Sequence, residues 1–292
     1  MRAQAAPGVS TKTMQSAEQI IADLEGSSTI HRTPGGRGHM VWHEWGAGQP
    51  LVLMHGGFGS WMHWVRNVEA LARHYRVLVA DIPGLGESDE ALDPSSPQSI
   101  GAMVADGIRE LVGDTPFHLA GFSFGGLISG QIGIQLGQQV RSLTLIGASG
   151  MGLPRPPMEL MRRHDDMSET ERRTALRHNL NTLMLHHASS IDDLAIYIQE
   201  WNDARSRVRS RRMSLGDSLA GALPQLSAKL FGIWGELDIT AGEYLPLRRE
   251  LMCETHPETR FELIENAGHW VQYEGAQAFN HMLLDCLSDI TD

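Results

Sequence analysis

The sequence predicts an α/β protein with a mostly parallel central sheet flanked by helices. Three observations predict it. Short apolar runs without polar alternation recur through residues 30–150 (PLVLM, RVLVA, FHLAG, SLTLIG), the mark of strands buried on both faces. Stretches of helical periodicity separate them, and strands that alternate with helices pair in parallel. Residues 118–126, HLAGFSFGG, then read as a strand, a glycine-bounded turn carrying one serine, and the start of a helix. A strand that turns so sharply into a helix holds the middle residue in a strained conformation, and flanking glycines let the turn close.

In chain order, residues 1–29 are polar and small, with one weak helical patch (SAEQIIADL), and read as an N-terminal arm. HMVWHEW alternates like a half-buried strand, and GAGQP turns the chain. PLVLM is the first strand buried on both faces. SWMHWVRNVEALARH fits one helix, RVLVA a strand, SIGAMVADGIRELVG a helix, FHLAG and SLTLIG two further strands. The pattern changes at residue 151. Up to residue 222 no buried strand is evident, and PRPPMELMRRHDD, SETERRTALRHNLNTLMLHH and SIDDLAIYIQEWNDARSRVRSRR all read as helical. SETE has capping-box spacing from Ser168 to Glu171, and Ser190 is placed to cap the third stretch. This insertion holds 11 arginines against 10 acids, whereas the whole chain has a net charge of -11. A near-neutral helical segment inside an acidic body reads as a separate cap. KLFGIWG and RFELIE resume the sheet, and AQAFNHMLLDCLSDI closes the chain as an amphipathic helix. The expected organisation is an arm (1–29), a first core segment (30–150), a helical cap (151–222) and a second core segment (223–292).

With 292 residues, 41% hydrophobic and 20% charged, the chain has an ordinary globular composition. The acidic balance leaves no excess of Lys and Arg to neutralise phosphates, so no nucleic-acid partner is expected. No run of 18 apolar residues occurs and the first residues lack a signal-peptide core, so neither a membrane span nor export is expected. Cys253 and Cys286 are read as free thiols of a reducing, cytoplasmic compartment. Fourteen histidines include no HExxH or paired CxxC spacing, so no metal and no organic cofactor is expected. A small-molecule substrate is the expected partner; a homo-oligomer stays open.

Ser123, at the tip of GFSFG, needs a base to become nucleophilic, and the base needs a carboxylate to hold its tautomer. Asp238 follows the KLFGIWG strand, with Glu236 two residues earlier as the fallback acid. His269 follows RFELIENAG beside a turn glycine. Loops at the same ends of parallel strands converge on one crevice, so Ser123, His269 and Asp238 can meet there. His55 is a competing base, read instead as a residue that packs the following glycine turn. In that turn (HGGFGS) the backbone N–H of Gly57, with that of Phe124 after the serine, is assigned to an oxyanion hole. Phe58, Phe122 and Trp270 lie beside these loops and are assigned to an apolar pocket suited to a small aromatic or acyl group.

HGGFGS, DIPGLGESD, GFSFGG, GELD and NAGHW together resemble the α/β-hydrolase fold over roughly residues 30–292. The resemblance implies a serine hydrolase with residues 151–222 as its lid. HGGFGSWMHWVRN and GHWVQYE look most like the meta-cleavage-product hydrolases, which split a carbon–carbon bond in vinylogous 1,5-diketones. That likeness matches Asn67 and Trp270 to pocket positions and implies a cap arginine for a substrate carboxylate. Of the cluster Arg205, Arg207, Arg209, Arg211 and Arg212, helical spacing puts Arg205, Arg209 and Arg212 on one face; Arg205 and Arg209 are assigned to the pocket. The expected reaction is hydrolysis of a carboxylic ester through an acyl-enzyme, which needs only the triad and the oxyanion hole. Carbon–carbon hydrolysis of a 2-hydroxy-6-oxohexadienoate is the alternative, and a small-molecule receptor on the same fold a remote one.

Overall fold

The structure, a computed structural model, describes residues 15–290 except 163 and 165; the first 14 residues of the expected arm lie outside the described residues. Among the described residues eight strands form one sheet: β1 (Thr29–Gly35), β2 (Gly38–Trp45), β3 (Pro50–Met54), β4 (Arg76–Ala80), β5 (Phe117–Phe122), β6 (Val140–Ile146), β7 (Lys229–Gly235) and β8 (Arg260–Ile264). Their spatial order is β1-β2-β4-β3-β5-β6-β7-β8. The first two pairings are antiparallel and all the others parallel. The connections that cross over are helical, because parallel neighbours cannot be joined by a tight turn. Among the described residues no helix is long and apolar enough to cross a membrane.

The helices in chain order are α1 (Ala17–Gly26), α2 (Val68–Leu71), α3 (Pro97–Val112), α4 (Phe124–Leu136), α5 (Glu169–Asn179), α6 (Asp193–Asp203), α7 (Ser210–Ser214), α8 (Ser218–Ala222), α9 (Leu245–Thr255), α10 (Val271–Glu274) and α11 (Ala276–Ser288). Two apolar layers cover the sheet. Val52 and Met54 of β3 face the cluster built with α3 and α4, while Leu51 and Leu53 face the one built with α11. That period of two explains why the central strands carry no polar alternation: both faces are inside. Each such Val or Leu contributes roughly 1.5–3 kcal/mol on full burial.

Several expected elements differ. The helical patch of the arm is α1, as expected, and its Ile21 and Leu24 pack with Trp45; Trp45 Nε1 donates to Leu24 O at 3.1 Å. β1 was not expected. It is an edge strand in which only Thr33 is buried, so Pro34 and the polar residues of TIHRTPG are tolerated. The SWMHWVRNVEALARH helix is broken into a 3₁₀ turn (Trp61–Trp64) and α2. Burial of Trp61 and Trp64, with Asn67 bonded to the chain's C-terminal helices, overrides helical propensity there.

In the cap, the capping box at Ser168 and Glu171 is present and α5 follows it. Residues 154–162 are not helical, because Pro154, Pro156 and Pro157 remove N–H donors and bias preceding residues away from helix. The N-cap of α6 is Asp192, which accepts from Ala195 N–H at 2.9 Å, and not Ser190. The last predicted helix stops at Asp203 and restarts at Ser210. Between them the chain is held to the core: Arg207 N–H donates to Gly84 O (2.9 Å) and its guanidinium to Ser88 O.

Candidate active site

Ser123 stands between β5 and α4 at φ 52°, ψ −114°. A non-glycine residue in this region is strained and persists only where its surroundings hold it. Here they do: Ser123 N–H donates to Ile146 O (2.8 Å), and its carbonyl accepts from Ser149 N–H (3.1 Å). The glycines on either side are required by close approach. A Cβ on Gly121 would strike Ser129 Oγ and the Gly125 backbone; one on Gly125 would strike the main chain of Met54 and His55. Gly125→Ala is therefore expected to cost about 1–3 kcal/mol, as overpacking does, read as a lower melting temperature with activity falling alongside.

His269 Nε2 lies 3.0 Å from Ser123 Oγ, and its Nδ1 lies 2.9 Å from Asp238 Oδ2. A carboxylate only accepts, so Nδ1 carries the proton and Nε2 is left to accept from the serine hydroxyl. Asp238 Oδ1 accepts from Thr240 N–H (2.8 Å) and Thr240 Oγ1–H (2.7 Å). Burial pushes the Asp238 carboxyl up, but the adjacent His269 and the bonds from His269 and Thr240 together hold it below its ordinary range. The three groups are brought together from the ends of β5, β7 and β8. Glu236 is turned elsewhere, accepting from Asn266 N–H at 3.1 Å. His55 is fully buried, with Nδ1 bonded to Gly56 O (2.7 Å) and Nε2 accepting from Ile82 N–H (2.9 Å). Burial lowers its pKa to about 4, so it stays neutral and braces the glycine turn.

The N–H groups of Gly57 and Phe124 have no acceptor among the described residues. Phe124 is the first residue of α4, where no intrahelical acceptor exists. Gly57 precedes Phe58 at φ 52°, and a Cβ on Gly57 would run into Ser210 Oγ of the cap. Two open donors beside Ser123 can hold the oxyanion of a tetrahedral intermediate.

A cavity of about 550 Å³ lies above, with Gly57, Phe58, Phe122, Ser123 and His269 forming its core side. Pro156, Met158, Leu176, Leu180, Leu183, Ser210 and two arginines, Arg155 and Arg211, close it from the cap. Four residues assigned to the pocket from sequence do not line it. Asn67 is buried under α10 and α11, its Nδ2 donating to Gln272 O (2.9 Å) and Asn280 Oδ1 (2.7 Å). Trp270 is buried behind His269, with Nε1 donating to His63 O (2.9 Å) and its ring stacked on Tyr273. Arg205 and Arg209 lie in the break between α6 and α7, so they share no helical face. Arg205 sits over the Trp201 ring (3.9 Å to the centroid) and Arg209 is exposed.

Arg155 is the cationic group that sequence reasoning missed; one arginine among prolines carries no periodicity to mark it. Its guanidinium donates to Ser214 O (2.8 Å), and among the described residues no carboxylate is within ion-pair distance of Arg155 or Arg211. Burial pushes the Arg155 pKa down, with Asp238 opposing. Asp203, which accepts from Gln199, also reaches the cavity wall. Among the described residues no three His, Cys, Asp or Glu side chains cluster so as to hold a metal ion.

The model of the alpha/beta hydrolase fold matches residues 49–276. A 2-hydroxy-6-oxononadienedioate/2-hydroxy-6-oxononatrienedioate hydrolase of Paraburkholderia phymatum is 28% identical over 95% of this chain and 98% of its own. A 2-hydroxy-6-oxo-6-phenylhexa-2,4-dienoate hydrolase of Burkholderia cepacia is 26% identical over 84% of this chain and 89% of its own. The crystal structure of a Rhodococcus esterase superposes with a TM-score of 0.71 at 21% identity, covering 90% of this chain and 99% of that one. At that identity the likeness bears on the fold alone.

Proposed function

The chain belongs to the α/β-hydrolase-fold family, and on that premise we propose that it is a serine hydrolase cleaving a carboxylic ester of a small apolar or aromatic substrate that also carries an acidic group. The observation that supports this reading is the unbroken hydrogen-bonded chain from Ser123 through His269 to Asp238 on the cavity floor. Ser123 Oγ attacks the ester carbon while its proton passes to His269 Nε2. The oxyanion forms against the N–H groups of Gly57 and Phe124. Collapse expels the alcohol, protonated by His269, and leaves an acyl-enzyme. Water, deprotonated by the same nitrogen, then releases the acid. The acidic group is proposed because Arg155 and Arg211 face a largely apolar cavity and, among the described residues, no carboxylate lies within ion-pair distance of either.

A second reading is favoured by the relatives, whose names are those of dienoate carbon–carbon hydrolases. There the dienol must first ketonise, so that the leaving carbon departs as a stabilised dienolate, and an arginine beside the dienoate end would hold its carboxylate. Steady-state hydrolysis of a neutral p-nitrophenyl ester, its carboxylated analogue and a phenyl-substituted 2-hydroxy-6-oxohexadienoate, with Ser123→Ala as control, separates the readings. Turnover of the esters alone supports the first, and turnover of the dienoate alone the second. Full activity of Ser123→Ala on every substrate overturns both. Arg155→Gln is expected to raise KM for the carboxylated substrates about 10- to 100-fold, the worth of a charged hydrogen bond, and to leave the neutral ester within about threefold.

A further inference from the structure

We infer that Glu274 is a positioning residue for His269 and ties the cap to it; this rests on the serine-hydrolase reading. His269 lies in a loop after β8, and the peptide on each side of it bonds to groups outside the sheet. Before it, Gly268 N–H donates to Glu274 Oε2 at 2.7 Å. After it, Trp270 N–H donates to Met184 O of the cap at 2.7 Å. The Glu274 carboxylate also accepts from two successive cap residues, His186 N–H (3.0 Å) and His187 N–H (2.8 Å). One carboxylate thus takes three backbone donors, one from the residue next to His269 and two from the cap.

The contact is too close for a side chain at position 268. A Cβ there would lie 2.8 Å from His186 N and 3.0 Å from Glu274 Oε2. His187 adds a bond of its own, from Nε2 to Asn266 O (2.9 Å), in the same loop. Among the described residues Glu274 has no cationic partner, so its acceptor capacity goes to these N–H groups, and hydrogen bonds to an ionised acceptor are roughly twice as strong as neutral ones. On the cap side the linkage ends in a π-helical turn, Leu180–Met184, whose Leu183 and Met184 side chains line the cavity. Met184, which lines the cavity, therefore makes one of the bonds that fix the His269 loop itself and lies two and three residues before the two that reach Glu274. Without Glu274 the 266–270 loop keeps its bonds at Asn266, Ala267 and Trp270 but loses the one at Gly268, the peptide that leads into His269, and the 3.0 Å approach of Nε2 to Ser123 Oγ is less tightly enforced.

The test uses the full-length protein and a fluorophosphonate probe. Ser123 Oγ attacks phosphorus, fluoride leaves, and the hydroxyl proton passes to His269, so the labelling rate reads the Ser123–His269 pair without knowledge of the substrate. Glu274→Gln keeps the side chain's shape but offers one acceptor oxygen and turns an NH2 on the remaining donors. Its labelling rate is expected to fall about 10²-fold, the cost of a misplacement near 1 Å. The low-field proton resonance of His269 Nδ1–H, bonded to Asp238, is expected to broaden or vanish with it. Glu274→Ala should do the same; if it does not fold, Glu274→Gln decides. A Glu274→Gln protein that only melts earlier, yet labels within about twofold of wild type and keeps the resonance, overturns the inference. If wild type fails to label, or Ser123→Ala labels equally, the serine-hydrolase reading falls, and the resonance alone then decides whether Glu274 positions His269.

Discussion

Ser123→Ala is expected to lower kcat by at least about 10⁴-fold on any ester the protein turns over, while KM and the melting temperature stay near wild type. Among the described residues the side-chain hydroxyl makes one hydrogen bond, to His269 Nε2. Its removal therefore strands no buried donor; it deletes the atom that the proposed mechanism makes the nucleophile. Alanine inherits the backbone strain at φ 52°. Glycine does not, so Ser123→Gly should be equally inactive yet about 1 kcal/mol more stable than Ser123→Ala, measured by urea unfolding. That ordering would mean the fold spends stability to hold residue 123 where its side chain faces the cavity. Equal stability of the two variants would remove strain from the account of this turn.

The meeting of Ser123, His269 and Asp238 was legible in the sequence because a parallel sheet leaves little freedom at the ends of its strands. Three strands, each followed by a loop with a reactive side chain, have to present those loops at one edge. The glycines at 121 and 125 were legible for a related reason: main chain lies directly against both. β1 was hidden because an edge strand needs neither apolar alternation nor the absence of proline.

Less of the cap is legible in the sequence. Its residues meet solvent on one side and the cavity on the other, so helical periodicity persists where the backbone has already broken. Arg205 and Arg209 were placed on a shared face by a spacing of four, but Arg207 fastens the stretch between them to the loop after β4. Arg155 sits where no pattern could flag it. Asn67 is expected in the pocket by resemblance, and Trp270 by resemblance and by its place next to His269, yet both make internal hydrogen bonds, to the 272–280 region and to His63 O. Their burial beside the loops of the candidate site supports it from behind without lining it.

Asp238→Asn is expected to lower kcat about 10⁴-fold at neutral pH, and Glu236 should not rescue it. An asparagine can face its oxygen either toward Thr240 or toward His269, but not both. Thr240 offers two donors and His269 one, so the oxygen is drawn to Thr240 and the NH2 is left facing His269 Nδ1. Nδ1 must then accept, the ring proton moves to Nε2, and Nε2 can no longer take the proton of Ser123. Glu236 cannot substitute while it is bonded to Asn266 N–H, so Glu236→Gln should stay within about threefold of wild type. The same change also tests the charge balance around the acid. Arg248 is buried, its guanidinium donating among the described residues to the carbonyls of Tyr244, Pro154 and Thr240; burial lowers the Arg155 and Arg248 pKa values and the Asp238 charge opposes that lowering. Because the folded-state pKa of Asp238 is depressed, its stabilisation is present above the ordinary carboxylate value and is lost as pH falls through the folded-state value. Asp238→Asn should therefore be less stable than wild type at neutral pH, and the gap should close on acidification. If the gap is independent of pH, the Asp238 charge does not stabilise the fold; if kcat survives, the histidine does not depend on that carboxylate for its tautomer.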